Sequence, residues 1–363
     1  MRKMKKYSAS VVFLAFLLTI AILAVVLPKS SYSENEKRVL AEFPGLTGQA
    51  VTDGSFGKSL ETYLADHFPL RDLWVGLNAY AGQALGQNGV SGIYAGKDGY
   101  LIAEPAPYQE ETALRNIRVL REFAEKAGLP ATILTVPNAG YMMDDKLPVN
   151  HKPYYDEKLF DLIRENAGQM QVLDLRDMLP EGAYYRTDHH LTSAGAYAMY
   201  RAYFPEGQAF SCTDIYPGFY GTGYSKSGLW LTKPDDLEVW EVPGDFTVTI
   251  RDGATSATYD SLYFPVHLGN MDKYPVFLDG NHQIVTVDNP NLSNGRRLLI
   301  LKDSYAHCFA TFAASQCEQV CMVDLRYYKG SVSGLLEEYG CTEILYLYGA
   351  ENLATSTDIP WLM

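Results

Sequence analysis

The chain has 363 residues, enough for one large α/β domain whose core needs no disulfide scaffold, and a formal net charge of −13. Such a surface repels polyanions, and the one basic cluster is the N-terminal Met-Arg-Lys-Met-Lys-Lys, which argues against nucleic acid as a partner. The five cysteines, at 212, 308, 317, 321 and 341, include no CxxC pair, and their odd number and mostly apolar settings point to buried thiols rather than to zinc or a disulfide framework.

After the basic residues comes an apolar run from Val11 to Leu27, broken only by Thr19. It reads as a membrane anchor, because no A-x-A-like cleavage site follows it; the preceding cations place the N-terminus in the cytoplasm and everything after Pro28 outside. On this reading residues 1–32 are the cytoplasmic tip and anchor. Residues 33–108 then form a polar stalk at 33–44, two amphipathic helices at about 55–66 and 70–85, and a hairpin turning at Lys97-Asp98-Gly99.

From Gln109 onward helix and strand alternate: helix 109–127 closed by Gly128, strand 131–136, helix 154–167, strand 171–175, and an amphipathic helix at about 193–203. The alternation resumes with strand 297–302, helix 305–315, strand 319–325, helix 331–339 and strand 343–348. Continuous apolar runs such as Leu298-Leu299-Ile300-Leu301 suit a parallel sheet covered on both faces. Between the two halves, at roughly 207–290, Gly, Pro and alternating aromatic stretches predict a β-rich insertion, either a wall for a binding surface or structural elaboration. The expected fold is thus an α/β domain over 109–363 behind an N-terminal transmembrane helix.

Two segments carry chemistry. In Leu301-Lys302-Asp303-Ser304-Tyr305-Ala306 a buried strand ends and a helix begins, so Ser304 sits at the carboxyl edge of the sheet, where open α/β folds bind ligands; it is either a nucleophile or a helix cap. A serine hydroxyl needs an imidazole base held in one tautomer by a carboxylate, and Thr187-Asp188-His189-His190 supplies both types. In an extended loop the i, i+2 spacing aims Asp188 and His190 to one side and His189 to the other. An Asp-His-His cluster is also a possible metal set, but the remaining histidines, at 67, 151, 267, 282 and 307, show no HExxH or regular spacing to complete one; neither a metal nor a cofactor is expected.

Ser33-Glu-Asn-Glu-Lys-Arg with Phe43-Pro44, Asp66-His67-Phe68-Pro69-Leu70-Arg71, Lys97-Asp98-Gly99-Tyr100-Leu101, Lys146-Leu147-Pro148, Asp188-His189-His190 and Asp303-Ser304 follow one another in that order. In this order they resemble the SGNH-type O-acetyltransferase-like proteins of bacterial exopolysaccharide pathways, in particular the alginate O-acetyltransferase group and the DHHW family. The resemblance implies an SGNH-hydrolase-like sheet with permuted element order, since the Asp-x-His pair precedes the Asp-Ser element. It implies a triad of Ser304, His190 and Asp188, and acetyl transfer onto a secreted or surface polysaccharide, with a membrane-bound acyltransferase as a partner that exports the acetyl group. Lys302 stands where a Gly-Asp-Ser element has glycine, and Leu191 where the DHHW name has tryptophan; both are positions where acceptor fit can differ.

An oxyanion needs donors beyond the Ser304 N–H; Gly280, Asn281 and Asn138 are candidates, each with an alternative role in a turn or cap. Arg326 and Tyr305 are candidates for the substrate side of the cleft. The alternatives to an acetyltransferase are a carbohydrate acetylesterase with the same machinery, and a non-catalytic, membrane-tethered polysaccharide-binding or assembly protein.

Overall fold

The computed structural model describes residues 2–363, and side chains from Tyr7 onward. The chain divides into two compact units, one formed by 1–87 with 228–230 and the other by 88–227 with 231–363.

The first unit begins with helix α1 (Arg2–Val26), whose Tyr7–Val26 stretch is long and apolar enough to cross a membrane and is unburied by the rest of the molecule. Helices α2 (Ser55–Asp66) and α3 (Arg71–Ala84) follow. The segment read as a polar stalk is tied to α2: Arg38 grips the buried Asp66 with both terminal nitrogens (3.0 and 2.5 Å), and Asp66 also accepts the Ala41 N–H at 2.9 Å. The Arg38 hydrogen bond holds the Asp66 carboxyl below its ordinary range.

The second unit is built on an eight-stranded sheet. Its strands in chain order are β1 (Ala131–Val136), β2 (Gln171–Asp174), β3 (Thr247–Asp252), β4 (Thr255–Tyr259), β5 (Ile284–Asp288), β6 (Arg297–Lys302), β7 (Gln319–Val323) and β8 (Glu343–Gly349). In space the order is β4-β3-β5-β7-β6-β8-β1-β2. Strands β7, β6, β8, β1 and β2 are parallel, and the other three join antiparallel beyond β7. Three strands of the insertion thus extend the main sheet, while two more, Asp214–Phe219 and Asp235–Val239, pair antiparallel in a sheet of their own. The hairpin strands Ile93–Ala95 and Leu101–Ala103 also belong to this unit.

Alternation along β6 shows why the run is uniformly apolar. Leu298 and Ile300 enter one core with α6 (Ser193–Tyr203) and α7 (Ala306–Ala313), whereas Leu299 and Leu301 enter the opposite one with α4 (Glu110–Ala127), α5 (Asp156–Asn166) and α8 (Val332–Glu338). Cys308, Cys317, Cys321 and Cys341 are buried thiols, and burial pushes Cys308 and Cys317 up to about 12; Cys212 is exposed. Because β6 lies between β7 and β8, the turn that follows it opens among the carboxyl ends of three parallel strands.

Candidate active site

Ser304 lies in the turn between β6 and α7, and its neighbour Asp303 latches that turn to the end of β8. Asp303 Oδ1 accepts the Tyr305 N–H at 3.0 Å, while Oδ2 accepts from the Gly349 N–H at 2.8 Å and Asn352 Nδ2 at 2.7 Å. The aspartate that the sequence offers as part of the motif is thus fully buried and spent on backbone and amide donors, away from the reacting atoms.

Across the cleft, residues 184–192 form a tight loop closed by the Tyr184–Leu191 bridge, with Tyr185 N–H donating to His190 O (3.2 Å) and Thr192 N–H to Ala183 O (2.8 Å). The loop is bent at its tip and not extended as expected. Asp188 Oδ1 accepts the backbone N–H of His190 at 2.9 Å and the same residue's ring Nδ1. This local turn, and not strand alternation, is what brings Asp188 and His190 together. For the same reason His189 does not face away: its ring lies 4.0 Å from that of His190, beside the cleft.

The insertion holds this loop in place. Asp235 accepts from the Thr187 N–H (2.7 Å), the Thr187 hydroxyl (2.6 Å) and the Arg186 N–H (3.0 Å), and the Thr222 N–H donates to Asp188 Oδ2 at 2.5 Å. Both carboxylate oxygens of Asp188 are therefore occupied, one orienting the imidazole and one anchoring the carboxylate. Gly221 permits the approach, because a Cβ there would overlap the Asp188 side chain. Gly221→Ala is expected to lower kcat about 100-fold by shifting Asp188 on the order of 1 Å; steady-state kinetics beside a thermal melt checks it, and wild-type kcat would refute it.

The decisive distance spans 114 residues of sequence: His190 Nε2 lies 2.7 Å from Ser304 Oγ. With Asp188 on Nδ1, the ring proton belongs on that side and the Nε2 lone pair faces the hydroxyl. One face of the imidazole is covered by Tyr274, whose ring stacks at 3.9 Å and 12° and whose hydroxyl donates to Ser304 O at 3.3 Å. Burial pushes the Tyr274 phenol well up, so it stays a donor. Sequence reasoning missed this tyrosine, since Lys273-Tyr274-Pro275 in a β-rich stretch carries no local signal of what it touches.

Ser304 opens into a cavity of about 270 Å³ whose lining includes Asn138, His189, Lys226, Arg326 and Asn352. Asn138 and Asn352 each give one amide hydrogen to a buried carboxylate, Asp156 (2.9 Å) and Asp303 (2.7 Å), and an amide has a second to give. Asn352 was not legible in the sequence, where Gly349-Ala350-Glu351-Asn352 looks like any strand-to-helix turn. Tyr305 lines the cavity and donates to His189 O at 2.9 Å. Gly280 and Asn281, offered by the sequence as oxyanion donors, are not among the lining residues. Gly280 completes a left-handed turn with Leu278 and Asp279 (φ 54, 61 and 81°), and Asn281 Oδ1 accepts from Arg326 at 3.1 Å.

Lys302 does not reach the cleft either. It is buried under the Ser304 turn with Nζ 2.7 Å from His307 Nε2 and 3.2 Å from Asp324 Oδ2, and burial pushes its pKa down and that of His307 well down. Burial acts to raise Asp324, but the bonds from Arg326 and the charge of Lys302 outweigh it and hold the carboxylate ionised. Asp324 in turn clamps Arg326 in the cavity wall through Nε (2.9 Å) and Nη2 (2.6 Å). Asp188, His189 and His190 also present one potential ligand atom each within 4.8 Å. Yet both Asp188 oxygens are engaged by His190 and the Thr222 amide, and His190 Nε2 faces Ser304, which is the pattern of a proton relay rather than of a cation cage.

Residues 93–204 match the model described as SGNH hydrolase-like domain, acetyltransferase AlgX, and residues 157–323 match that of the DHHW protein family. Both matches fall on the second unit, which over residues 93–204 is similar to an SGNH hydrolase-like domain. Both resemblances read from the sequence are found in it. The chain is similar to a DHHW family protein from Eubacterium siraeum at 20% identity and TM-score 0.60, the alignment covering 76% of this chain and 97% of that one. It is similar also to Bacillus cereus PatB1, at 19% identity and TM-score 0.62, over 71% of this chain and 96% of that one. No curated protein matches the chain.

Proposed function

We propose that this chain is an extracytoplasmic serine-dependent O-acetyltransferase that modifies a cell-surface or secreted polysaccharide through an acetyl-Ser304 intermediate. The observation that carries the reading is the continuous hydrogen-bonded chain from Ser304 Oγ through the His190 ring to Asp188. His190 Nε2 takes the hydroxyl proton as Oγ attacks the acetyl carbonyl, and Asp188 stabilises the imidazolium that forms. The developing oxyanion is met by the Ser304 N–H and by the second amide hydrogen of Asn352 or Asn138. Collapse expels the donor's leaving group, which takes the proton from His190. A glycan hydroxyl then repeats the sequence in reverse, giving its proton to Nε2 as it attacks the acetyl-serine.

A further structure of Bacillus cereus PatB1, similar at 18% identity and TM-score 0.61, holds a sulfonyl adduct. Sulfonylation requires an activated nucleophile, and the same probe suits Ser304 here. The α1 span supports a membrane-anchored protein with its SGNH-like domain outside the cytoplasm, where a membrane-bound acyltransferase would supply the acetyl group.

The test is to incubate the detergent-solubilised full chain with an acetyl ester and purified surface glycan, then follow both acetate and glycan mass. Acetylated glycan supports the transferase. Free acetate with unmodified glycan makes the protein an esterase, and neither product makes it a binding protein.

A further inference from the structure

Helix α3 presents its apolar side to the outside. Leu70, Leu73, Trp74, Leu77, Ala81 and Leu85 recur at spacings of three, one and four residues, which places them on one face. Leu73 is 59% exposed, Leu77 56% and Leu85 86%. The opposite face, with buried Gly76, Ala79 and Gly82, is the one covered within the same unit. Trp230 Nε1 donates to Asp72 O at 2.8 Å, and a Cβ at Gly76 would come within 2.8 Å of the Trp230 ring. The helix thus packs through its small residues and leaves a leucine stripe open, the reverse of a helix designed to face water.

The stripe is continuous with the apolar surface of α1. Trp74 meets Phe16, within the Tyr7–Val26 stretch, edge to face at 6.5 Å between ring centroids. The end of that helix, Leu27–Ser30, and the residues Phe68–Leu73 line one groove of about 410 Å³. We propose that α3 is an in-plane amphipathic helix whose leucine stripe rests in the headgroup and acyl-chain boundary of the membrane that α1 enters. Its exposed polar positions include Asp72 and Asn78 and no lysine, so apolar burial rather than attraction to anionic lipid supplies the binding.

This rests on reading α1 as a membrane anchor, and one experiment separates the two. The full chain is reconstituted into phosphatidylcholine nanodiscs containing a lipid with a diazirine in its acyl chain, irradiated, and mapped by mass spectrometry. Lipid adducts are expected on α1 and on the peptide holding Leu73 and Leu77, at similar yield when anionic lipid is added. Leu73→Glu with Leu77→Glu should lower the α3 adducts about tenfold while leaving those on α1 and the thermal melt unchanged. Adducts on α1 alone in the wild-type chain overturn the proposal, as does replacement of the α3 lipid adducts by crosslinks to a second copy. Absence of adducts from α1 as well overturns the anchor reading itself.

Discussion

Ser304→Ala lowers the turnover of p-nitrophenyl acetate by about 10⁴-fold or more while leaving the thermal melt close to that of the wild type. The rate expectation follows from covalent catalysis, in which no other group can take the place of Oγ; residual activity reflects binding and oxyanion donors alone. The stability expectation follows from position. Ser304 borders an open cavity, so water can satisfy His190 Nε2 once the hydroxyl is gone, and the turn is held by Asp303 rather than by the serine. His190→Ala should cost about as much, and the double variant little more, because groups acting as a unit are not additive. A sulfonyl fluoride should add mass to the peptide containing Ser304 in the wild type only. Equal ester turnover by wild type and Ser304→Ala would end the covalent reading.

Asp188→Asn is expected to lower kcat by roughly 10³- to 10⁴-fold with little change in KM, since neither oxygen of the carboxylate touches substrate. Oδ1 accepts from the His190 N–H and ring Nδ1, and Oδ2 from the Thr222 N–H. An amide has one acceptor for these three donors. With its oxygen toward His190, the NH₂ opposes the Thr222 N–H; with its oxygen toward Thr222, the NH₂ meets Nδ1 and forces the proton onto Nε2, where it cannot act as a base toward Ser304. The first orientation keeps the tautomer but repels the Thr222 N–H that anchors the side chain, and the second removes the productive tautomer. Kinetics on the folded variant tests this, and activity within tenfold of the wild type would show that Asp188 does not orient the ring.

Much of the site was legible because its signals are local. A buried strand, a small polar turn and a helix announce a serine at a sheet edge whatever the rest of the chain does, and an Asp two residues before a His is within reach of it by chain geometry alone. Even there the route was different from the one expected: a backbone bend, not an extended loop, joins Asp188 to His190, and so His189 stays beside the cleft. Of the two amides proposed as oxyanion donors, Asn138 was legible and Asn352 was not. Gly280-Asn281 has the residue types of a hole but lies in a left-handed turn against Arg326, whereas Asn352 looks ordinary and lines the cavity because β8 is the neighbour of β6. Lys302 looked like a cleft residue by its place in the motif, but strand alternation turns it inward, where Asp324 compensates its charge.

What the amino-acid sequence determined by itself was every feature set by periodicity or by near neighbours: the apolar N-terminal helix, the βα alternation, the two-faced burial of β6, and the chemical types present at Asp188, His190 and Ser304. Only the tertiary structure decided which of these groups meet. Ser304 and His190 are 114 residues apart, and their 2.7 Å contact depends on the strand order and on an insertion that supplies Tyr274, Thr222 and Asp235. A hydrogen bond fades over a fraction of an ångström, whereas sequence spacing constrains distance only within a turn or two, so long-range contacts of this kind exist only once the sheet has closed around them.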